Sequence, residues 1–466
     1  FLLEGTAAGR INPGIGAGGG PAEPYGNFTE TPTARKIIAL GWELHRDPRF
    51  AWELVNTFGR DKEDDAEWNK INEAAKSQKR DPYLANRSRV ISQWSGYLED
   101  GPKHDDFRFR RAAGIRIGGA FGYFAHRDAL DLRVFAFGLT MSGDFNQQQG
   151  YGWPPQRMTR LHNVVEVDGQ NWRGHAWVRC LFDSPGNQYL SAEATPPHDM
   201  AQVRLFRRQI AMIEMHPGKA STKPEPRSDP SVSLPAGYVV DIFRVSGGKR
   251  HAYNFHGCVD DQFQINVTDR KVPALKHEVE YLEPYRPANK PKDLDHAPAG
   301  GFSLNANPEY WAGTVKENDL IATWRLRRDA EERMLAPKKN FGAVVTKERK
   351  HIRLHLLDQK GNRMLHGVAR GKDGNGYFGR CIHSIQEGNE SVFTAIIEPY
   401  AGQPFIKAIK ALRIQDNEGD AERAVAVEIK TREGCTDIVF ADGRPQEIRE
   451  FAGLKISAEY AMVSRN

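Results

Sequence analysis

The spacing of apolar residues predicts helices in the N-terminal part of the chain. Thr31 and Pro32 form a helix-start signal, because threonine caps the first backbone N–H groups and proline fits the first helical position. Apolar side chains then recur at helical spacing, until Asp47 and a following proline end one run and begin another. The two stripes are Ile37, Ile38, Leu40, Trp42 and Leu44, then Phe50, Trp52, Leu54, Val55 and Phe58. A polar helix is expected around residues 63–77, so the pattern predicts antiparallel helix pairs.

After about residue 88 the hydrophobic period changes to two, which is the period of a β-strand. The run FRFRRAAGIRIG, for example, places phenylalanines on one face and arginines on the other. Similar short runs continue to the C-terminus, separated by Gly, Asn, Asp and Pro and without alternating helices. This order predicts antiparallel sheets in a sandwich and argues against a parallel α/β fold. Residues 216–237 and 283–300 are rich in proline and lysine, and we expect long surface loops there.

Length, charge and cysteine content narrow the functional classes only a little. The 466 residues suffice for two to four domains, and no apolar run of about 18 residues predicts a membrane-spanning helix. A net charge of +5 favours anionic partners, although an ordinary solvated surface explains it equally well. The four cysteines lie far apart, which disfavours a disulfide framework and a cysteine zinc site. Because the chain opens with Phe1 and without a signal-peptide pattern, we expect a processed or truncated product.

The densest set of chemically active residues lies between residues 121 and 172. His126 precedes a strand-like run, Asp144 lies in the turn after it, and His162 opens the next strand. Two imidazoles and one carboxylate suit Zn²⁺ or a similar divalent metal, and a hairpin would bring successive strand ends together. The alternative for each histidine is an ordinary surface or hydrogen-bonded residue, and spacing alone does not decide between the two.

Several motifs in and beyond this region resemble the heparinase II/III family of polysaccharide lyases. They are H-x-D-x-L-x-L-x-x-F-A-x-G from His126, a Gly-Tyr-Gly loop, HN-x-V-x-V-D-G from His162, and similar runs at 237–257, 321–326 and 391–406. The resemblance covers nearly the whole chain in order. It implies an α+β fold, in which the C-terminal part of an (α/α) toroid precedes a large multi-sheet antiparallel β-sandwich. The helices at 31–77 would then be only the last part of that toroid.

The resemblance and the change of period together predict three domains. Residues 1–95 would end the (α/α) toroid, residues 96–345 would form the central antiparallel β-sandwich, and residues 346–466 would form a C-terminal β-sheet domain. The earlier toroid helices are expected on a missing upstream segment, carried by a cleaved fragment or a separate chain. A homodimer is a further option.

The resemblance also assigns a metal site. In relatives, a His, an Asp and a second His in these contexts bind a metal that is usually described as structural zinc, and they map onto His126, Asp144 and His162. Relatives often carry a further histidine two residues before the first ligand, as part of the acid/base apparatus. This sequence has Phe124 there, so the catalytic scheme of the family does not transfer unchanged.

The chemistry of such enzymes is β-elimination at a uronic acid. A base removes the C5 proton, a general acid protonates the departing O4, and cations or hydrogen-bond donors neutralise the carboxylate. Tyr151, in a glycine-flanked loop, is the candidate tyrosine, because nearby cations would lower its pKa. His256 resembles a family position that can face the cleft, and it could share proton transfer. The alternatives are a loop aromatic for Tyr151 and a strand-end histidine bonded to backbone for His256.

Three further residues are candidates for holding the substrate. Arg157 and Arg160 could bind carboxylate or sulfate by bidentate contacts, and Trp153 could stack on a sugar ring. Surface solubility is the simpler interpretation of the arginines, and a wedged loop aromatic is the simpler interpretation of Trp153.

The sequence therefore predicts a polysaccharide lyase that acts on an anionic, uronate-containing polysaccharide. A glycosaminoglycan such as heparin, heparan sulfate or chondroitin ranks ahead of alginate. The rival hypothesis is a non-catalytic carbohydrate-binding or scaffolding sandwich, motivated by Phe124 and the absent helices; a glycoside hydrolase ranks last, because no pair of positioned carboxylates is evident. We expect a structural divalent metal, zinc by resemblance, and neither a nucleic-acid partner nor a membrane span. Exported bacterial relatives imply a periplasmic or secreted location.

Overall fold

The computed structural model places helices at the N-terminal end and strands along the rest of the chain. The structure describes residues 32–79, 82, 87–91, 94–99, 110–118, 127–143, 159–172, 174–214, 237–258, 260–265, 274–275, 310–334, 348–370, 378–417 and 419–465. Within these ranges, no helix has the length and apolar character needed to cross a membrane.

The N-terminal segment folds into a short helical bundle. Its elements are α1 (Pro32–His45), α2 (Pro48–Glu53), a π-helical turn (Leu54–Phe58) and α3 (Asp65–Ser77). The carboxylate of Asp47 caps α2 by accepting the Arg49 N–H at 2.9 Å, and Asp64 caps α3 through the Glu67 N–H at 2.8 Å. The predicted helices and the boundary at Asp47 are confirmed. Thr31, the expected cap of α1, lies outside the described residues.

Packing covers one apolar face of α1 and leaves a second one open. Ile38 and Trp42 are buried against α2 and α3. Ile37, Leu40 and Leu44 follow the same helical spacing, yet they are between 47% and 67% exposed. The described residues therefore cover only part of the apolar surface that the sequence pattern provides.

Strands predominate in the described residues after α3, and a further short helix there is α4 (Arg328–Met334). In chain order the strands are β1 (Arg89–Ile91), β2 (Ser95–Glu99), β3 (Arg111–Arg116), β4 (Leu132–Ala136), β5 (Leu139–Ser142), β6 (Val165–Val167), β7 (Ala176–Ser184), β8 (Asn187–Ala194), β9 (Leu205–Glu214), β10 (Gly237–Ser246), β11 (Arg250–His256), β12 (Asp260–Ile265), β13 (Ala274–Leu275), β14 (Tyr310–Thr314), β15 (Leu320–Leu326), β16 (Lys350–Leu356), β17 (Arg363–Arg370), β18 (Phe378–Glu387), β19 (Glu390–Ala401), β20 (Ile406–Ala411), β21 (Val425–Thr431), β22 (Thr436–Ala441), β23 (Arg449–Phe451), β24 (Leu454–Ile456) and β25 (Tyr460–Arg465).

These strands form antiparallel sheets, as the alternating pattern predicts. A five-stranded sheet has the order β1-β2-β3-β4-β5, and an eight-stranded sheet has the order β12-β15-β16-β19-β10-β9-β8-β7. A six-stranded sheet runs β13-β14-β17-β18-β11-β6, a four-stranded sheet runs β20-β21-β22-β25, and β23 pairs with β24.

The eight-stranded sheet is the middle layer of the molecule. On one face, Phe206 joins a large apolar cluster with Leu132 of the five-stranded sheet and Ile382 of the six-stranded sheet. On the other face, Tyr238 packs in a second cluster with Val427 of the four-stranded sheet. Because both faces of this sheet are covered, most side chains of its central strands are apolar on either face. Charged side chains within the sheet therefore need buried partners.

Strand pairing shifts the expected domain boundaries. β16 and β19 belong to the eight-stranded sheet and β17 and β18 to the six-stranded sheet, so these four strands are part of the central sandwich. The separate C-terminal sheet begins at Ile406, not at residue 346, and the five-stranded sheet already begins at Arg89, before residue 96. The sequence pattern could not show this, because β16 pairs with β19 and not with the strand that follows it in the chain.

Candidate functional site

A buried polar network lies where the five-stranded sheet meets the end of β11, and Asn163 is its centre. The backbone N–H of Asn163 donates to the Asp131 carboxylate at 2.8 Å, and its side-chain amide donates to the Leu132 carbonyl and the Ser142 hydroxyl, both at 2.7 Å. Its side-chain oxygen accepts the backbone N–H of His256 at 2.8 Å. The Ser142 hydroxyl donates in turn to the His256 carbonyl at 2.6 Å. Both amide donors and the acceptor are used, so one buried side chain fixes three segments relative to each other.

Arg208 holds the other side of this network. It forms a bidentate pair with Asp241, with Nε–Oδ1 at 2.7 Å and Nη2–Oδ2 at 2.5 Å, and all of these groups are fully buried. Its remaining nitrogen donates to the carbonyls of Leu130, at 2.7 Å, and Asn163. Tyr253 donates to the same Asp241 carboxylate at 2.6 Å, and burial beside that negative charge raises the pKa of Tyr253 well above its ordinary value. A buried guanidinium of this kind is stable only with such a complete set of partners.

His162 lies next to two carboxylates in this network. One ligand-type atom from each of His162, Asp128 and Asp131 lies within 4.8 Å of the others, and all three residues are buried. Arg133 contacts both carboxylates, with Nη2–Asp128 at 3.4 Å and Nε–Asp131 at 3.0 Å. Arg116 Nε lies 3.2 Å from Asp128. Two buried carboxylates are therefore matched by two buried guanidinium groups.

His162 is one of the three expected metal ligands. Imidazole nitrogen and carboxylate oxygen are suitable ligand types for a divalent ion. However, the two arginines already balance the charge of Asp128 and Asp131, and a divalent cation would add buried positive charge. The described residues around His162 therefore form a charge-balanced ion-pair network, and the expected metal site stays a prediction. The expected ligands His126 and Asp144 lie outside the described residues.

A second polar cluster lies on the six-stranded sheet. The Asn254 amide nitrogen donates to the Val164 carbonyl at 2.9 Å, which turns its oxygen toward His383 Nδ1 at 2.7 Å. His383 therefore carries its proton on Nδ1, and Nε2 faces the Cys381 thiol at 3.5 Å. Burial, followed by the positive charge of Arg160, lowers the pKa of His383 to about 3. This histidine is neutral at physiological pH.

The 3-10 turn Thr159–Leu161 connects the two clusters. Arg160 is buried and pairs with Glu166, with Nε–Oε2 at 3.3 Å and Nη2–Oε1 at 3.5 Å. The Thr159 hydroxyl donates to the Arg127 carbonyl at 2.7 Å, and its backbone N–H donates to the Asn171 side chain at 3.0 Å. The turn is therefore firmly held at its first residue.

The structure describes three of the predicted site residues, and all three are buried. His162 and His256 are brought together through Asn163, whereas Arg160 lies toward the second cluster with Glu166. The other predicted residues, His126, Asp144, Tyr151, Trp153 and Arg157, lie outside the described residues, as does Phe124. Their roles remain predictions.

Sequence reasoning missed the residues that hold this site together. Asn163 directly follows His162 in the quoted motif, and that position was the only available signal for it. Arg208 lies in a basic run of the sequence, and its partner Asp241 is 33 residues away. Asn254 and His383 are 129 residues apart. A single sequence shows such residues but not their pairing.

Comparison with known proteins supports the predicted resemblance at the level of the fold. No protein-family model matches the chain, and no curated protein matches it. Among solved structures, heparinase III (BT4657 gene product) aligns with a TM-score of 0.50 at 10% identity, over 100% of this chain and 51% of that one. Heparan sulfate lyase HepC from Pedobacter heparinus aligns with a TM-score of 0.47 at 10% identity, over 99% of this chain and 52% of that one. The chain spans about half the length of these structures.

Proposed function

We propose that this chain is the sandwich portion of a polysaccharide lyase that cleaves an anionic, uronate-containing polysaccharide by β-elimination. A glycosaminoglycan such as heparan sulfate or chondroitin is the preferred substrate, ahead of alginate, and the product carries a 4,5-unsaturated uronate end. The observation that carries the proposal is the likeness to heparinase III over 100% of this chain, with a TM-score of 0.50. That likeness concerns the fold, and the reaction is inferred from it together with the sequence motifs.

In the proposed reaction, Tyr151 exchanges a proton with the sugar at C5 or O4, and His256 assists proton transfer. Arg157 neutralises the uronate carboxylate, on which negative charge develops when the C5 proton leaves. Trp153 stacks on a neighbouring sugar ring.

The described residues support this scheme by fixing the ends of the segment that carries Tyr151. Ser142, just before that segment, is hydrogen bonded to Asn163 and to the His256 carbonyl. Thr159, just after it, is held by Arg127 and Asn171. Catalytic groups must be held within a fraction of an ångström of their productive geometry. Ser142 and Thr159 are therefore each held by hydrogen bonds, one on either side of the segment.

The metal and the upstream helices belong to the same proposal. We propose that His126, Asp144 and His162 hold a structural zinc ion, which predicts that His162→Ala lowers metal content and thermal stability together. The exposed apolar face of α1, formed by Ile37, Leu40 and Leu44, is where upstream helices of an (α/α) toroid would pack. An exported bacterial location is proposed from the family resemblance alone.

A non-catalytic carbohydrate-binding sandwich is the second candidate function. The observation that favours it is the burial of His256 and Arg160, which are 1% and 4% exposed. Groups so enclosed do not reach a polymer without local rearrangement. Phe124, in place of a histidine common in relatives, points in the same direction.

Product formation separates the two functions. The purified protein is incubated with heparan sulfate, chondroitin sulfate and alginate in turn, and the ultraviolet absorbance of the unsaturated uronate is followed. Dextran, which lacks uronate, is the control. A lyase gives rising absorbance with at least one uronate polymer and none with dextran. Retention of the protein by a polymer without any absorbance change would favour the binding protein and overturn the lyase proposal.

A further inference from the structure

One face of the eight-stranded sheet changes from apolar to polar toward its β12 edge. Near the middle of the sheet, Ile396 of β19 is buried in the apolar cluster under the four-stranded sheet. Farther out, the same face carries Thr323 of β15 and Arg353 of β16, which lie opposite each other. Trp324, the neighbour of Thr323, points to the other face and joins the large apolar cluster there. The polar side chains on this outer face take no part in the network around Asn163.

Arg353 is held on this face by neutral partners. Its Nε donates to the Thr323 hydroxyl at 2.9 Å, and its Nη2 donates to the Tyr400 hydroxyl at 3.3 Å. The guanidinium also lies 5.3 Å from the centre of the Tyr400 ring. The side chain is therefore fixed in place without an ion pair, while it remains only partly buried.

The carboxylate that lies opposite Arg353 is engaged elsewhere. Glu398 is the cross-strand neighbour of Arg353 on β19. One oxygen of Glu398 accepts the backbone N–H groups of Phe405 and Ile406 at 2.6 and 2.8 Å, and the other lies 3.3 Å from His355 Nε2. Among the described residues, no carboxylate therefore contacts the Arg353 guanidinium.

The groups on this face have hydrogens left to donate. A guanidinium only donates, so the Thr323 oxygen accepts from Arg353 and keeps its own hydrogen for another acceptor. Nη1 of Arg353 has no acceptor among the described residues. Thr323 is only 8% exposed, and a buried donor without an acceptor is unfavourable. A set of donors without an acceptor fits a ligand that supplies acceptor oxygens.

The electrostatic surroundings also favour a negative ligand. His351 lies two residues before Arg353 on the same face of β16. Burial lowers the pKa of His351 to about 4, and the neighbouring charges that lower it further are those of Arg325, Arg349 and Arg353. A positive potential of this kind attracts anions.

We propose that Thr323 and Arg353, with Arg325 beside them, form a binding site for a small oxyanion, such as a sulfate or carboxylate group. Arg353 would supply the guanidinium that recognises such oxygens, and Thr323 a hydroxyl donor. The inference does not depend on the lyase reaction, because it concerns the recognition of an anionic group on the face opposite the Asn163 network. The group can be a free inorganic ion or part of a polysaccharide.

The chemistry of this face disfavours a protein partner. Protein interfaces are centred on buried apolar and aromatic anchors. None of the large apolar side chains that are exposed in the described part of the chain lies on β15 or β16. Association of two copies through this face is the alternative that the experiment must exclude.

The test titrates sodium sulfate against sodium chloride at constant ionic strength and follows the His351 ring by NMR. We expect saturable sulfate binding and a rise of the His351 pKa above about 4, because a bound anion offsets the neighbouring positive charges. The sulfate dissociation constant should rise about tenfold or more in Arg353→Gln, which loses charge-assisted hydrogen bonds. Thr323→Val, which removes only the hydroxyl donor, should weaken binding less. Arg413→Gln removes an exposed arginine of the C-terminal sheet, with the same change of charge, and should bind sulfate like the intact protein.

Further measurements make the outcomes distinct. Urea denaturation of Thr323→Val checks that weaker binding does not reflect unfolding. A heparan sulfate oligosaccharide that displaces sulfate would assign the site to a group of a polysaccharide; without displacement the ligand is the free ion, and the site stands in both cases. Unchanged sulfate affinity in Arg353→Gln, or no saturable binding by the intact protein, overturns the site. A dimer that Arg353→Gln dissociates in sedimentation velocity, at unchanged sulfate affinity, would identify an interface between copies and also overturn it.

Discussion

The helical segment and the β-sandwich differ in how completely they cover their own surfaces. The sandwich buries whole ion pairs, such as Arg208 with Asp241, and satisfies them internally. The helical segment covers one face of α1 and leaves Leu40 and Leu44 exposed on another. Among the described residues, fully satisfied buried polar groups are therefore a feature of the sandwich. The helices leave apolar surface that the described residues do not cover.

The largest effect on the unfolding free energy should appear when the buried ion pair of the sandwich is broken. Asp241→Ala leaves the Arg208 guanidinium buried without its carboxylate, and such losses cost about 3–5 kcal/mol of unfolding free energy. The control is Arg204→Ala, which removes the exposed partner of Glu390 and should cost about 1 kcal/mol or less. Urea denaturation measures both values. Equal effects would show that the Arg208 pair does not stabilise the sandwich.

Asn163→Ala should have the next largest effect on the unfolding free energy. It removes the amide that joins the Leu132 carbonyl, Ser142 and the His256 N–H, and leaving buried polar groups unsatisfied costs about 1–3 kcal/mol. The matched control lies in the helical segment, where the Asn56 amide donates to the Trp52 carbonyl at 2.9 Å on an exposed surface. Asn56→Ala should change stability by no more than about 0.5 kcal/mol. A reversed order of the two variants in urea denaturation would contradict the central place of Asn163.

Because His383 is buried in the sandwich, we expect the unfolding free energy to depend on pH. The pKa of His383 is lowered to about 3 in the folded protein, whereas an unfolded histidine titrates near 6.5. Between these two pKa values the unfolded chain therefore binds more protons than the folded protein. The contribution of His383 to the unfolding free energy is complete above about pH 6.5 and is lost as pH falls toward about 3. The slope is about 1.4 kcal/mol per pH unit for one group. His383→Asn, whose amide can replace Nδ1 as donor to Asn254, should make the measured dependence shallower by about this amount. Identical slopes below pH 6 would show that His383 is protonated in the folded state.

The smallest effect is expected on the open face of α1. Leu44→Gln should alter the unfolding free energy by about 0.5 kcal/mol or less, because an exposed side chain loses little on replacement. Ile38→Ala, on the covered face of the same helix, should cost about 2–5 kcal/mol of local stability. Hydrogen exchange of the α1 amides reports both changes. A large effect of Leu44→Gln would mean that this face is already covered in solution.

The same contrast explains how much the sequence could predict. The helices and the strands were predictable because Ile38 and Trp42, or alternating strand residues, repeat at the period of the element. The position of β16 and β19 in the eight-stranded sheet was not predictable, because it depends on contacts between segments that are distant in sequence. The candidate site divides in the same way. His162 and His256 could be selected by chemical type, but their connection through Asn163 joins residues 93 positions apart.

Arg160 shows why charge alone misleads. The sequence marked it as a possible ligand for carboxylate or sulfate, and the structure pairs it with Glu166, six residues later, away from solvent. A strongly charged side chain is usually exposed, and only a nearby partner makes its burial tolerable. That partner could not be assigned before the 3-10 turn and β6 were placed.

The central proposal is that the segment anchored at Ser142 and Thr159 presents Tyr151 for β-elimination. The most direct measurement is the initial rate of unsaturated uronate formation by Tyr151→Phe, at equal folded concentration and with Tyr400→Phe as the control. Loss of one acid/base group predicts a rate about 10²–10⁴-fold lower, with near-normal thermal stability and polymer affinity. The control should keep its full rate. Full eliminative activity in Tyr151→Phe would contradict the proposal and place the proton-transfer group elsewhere.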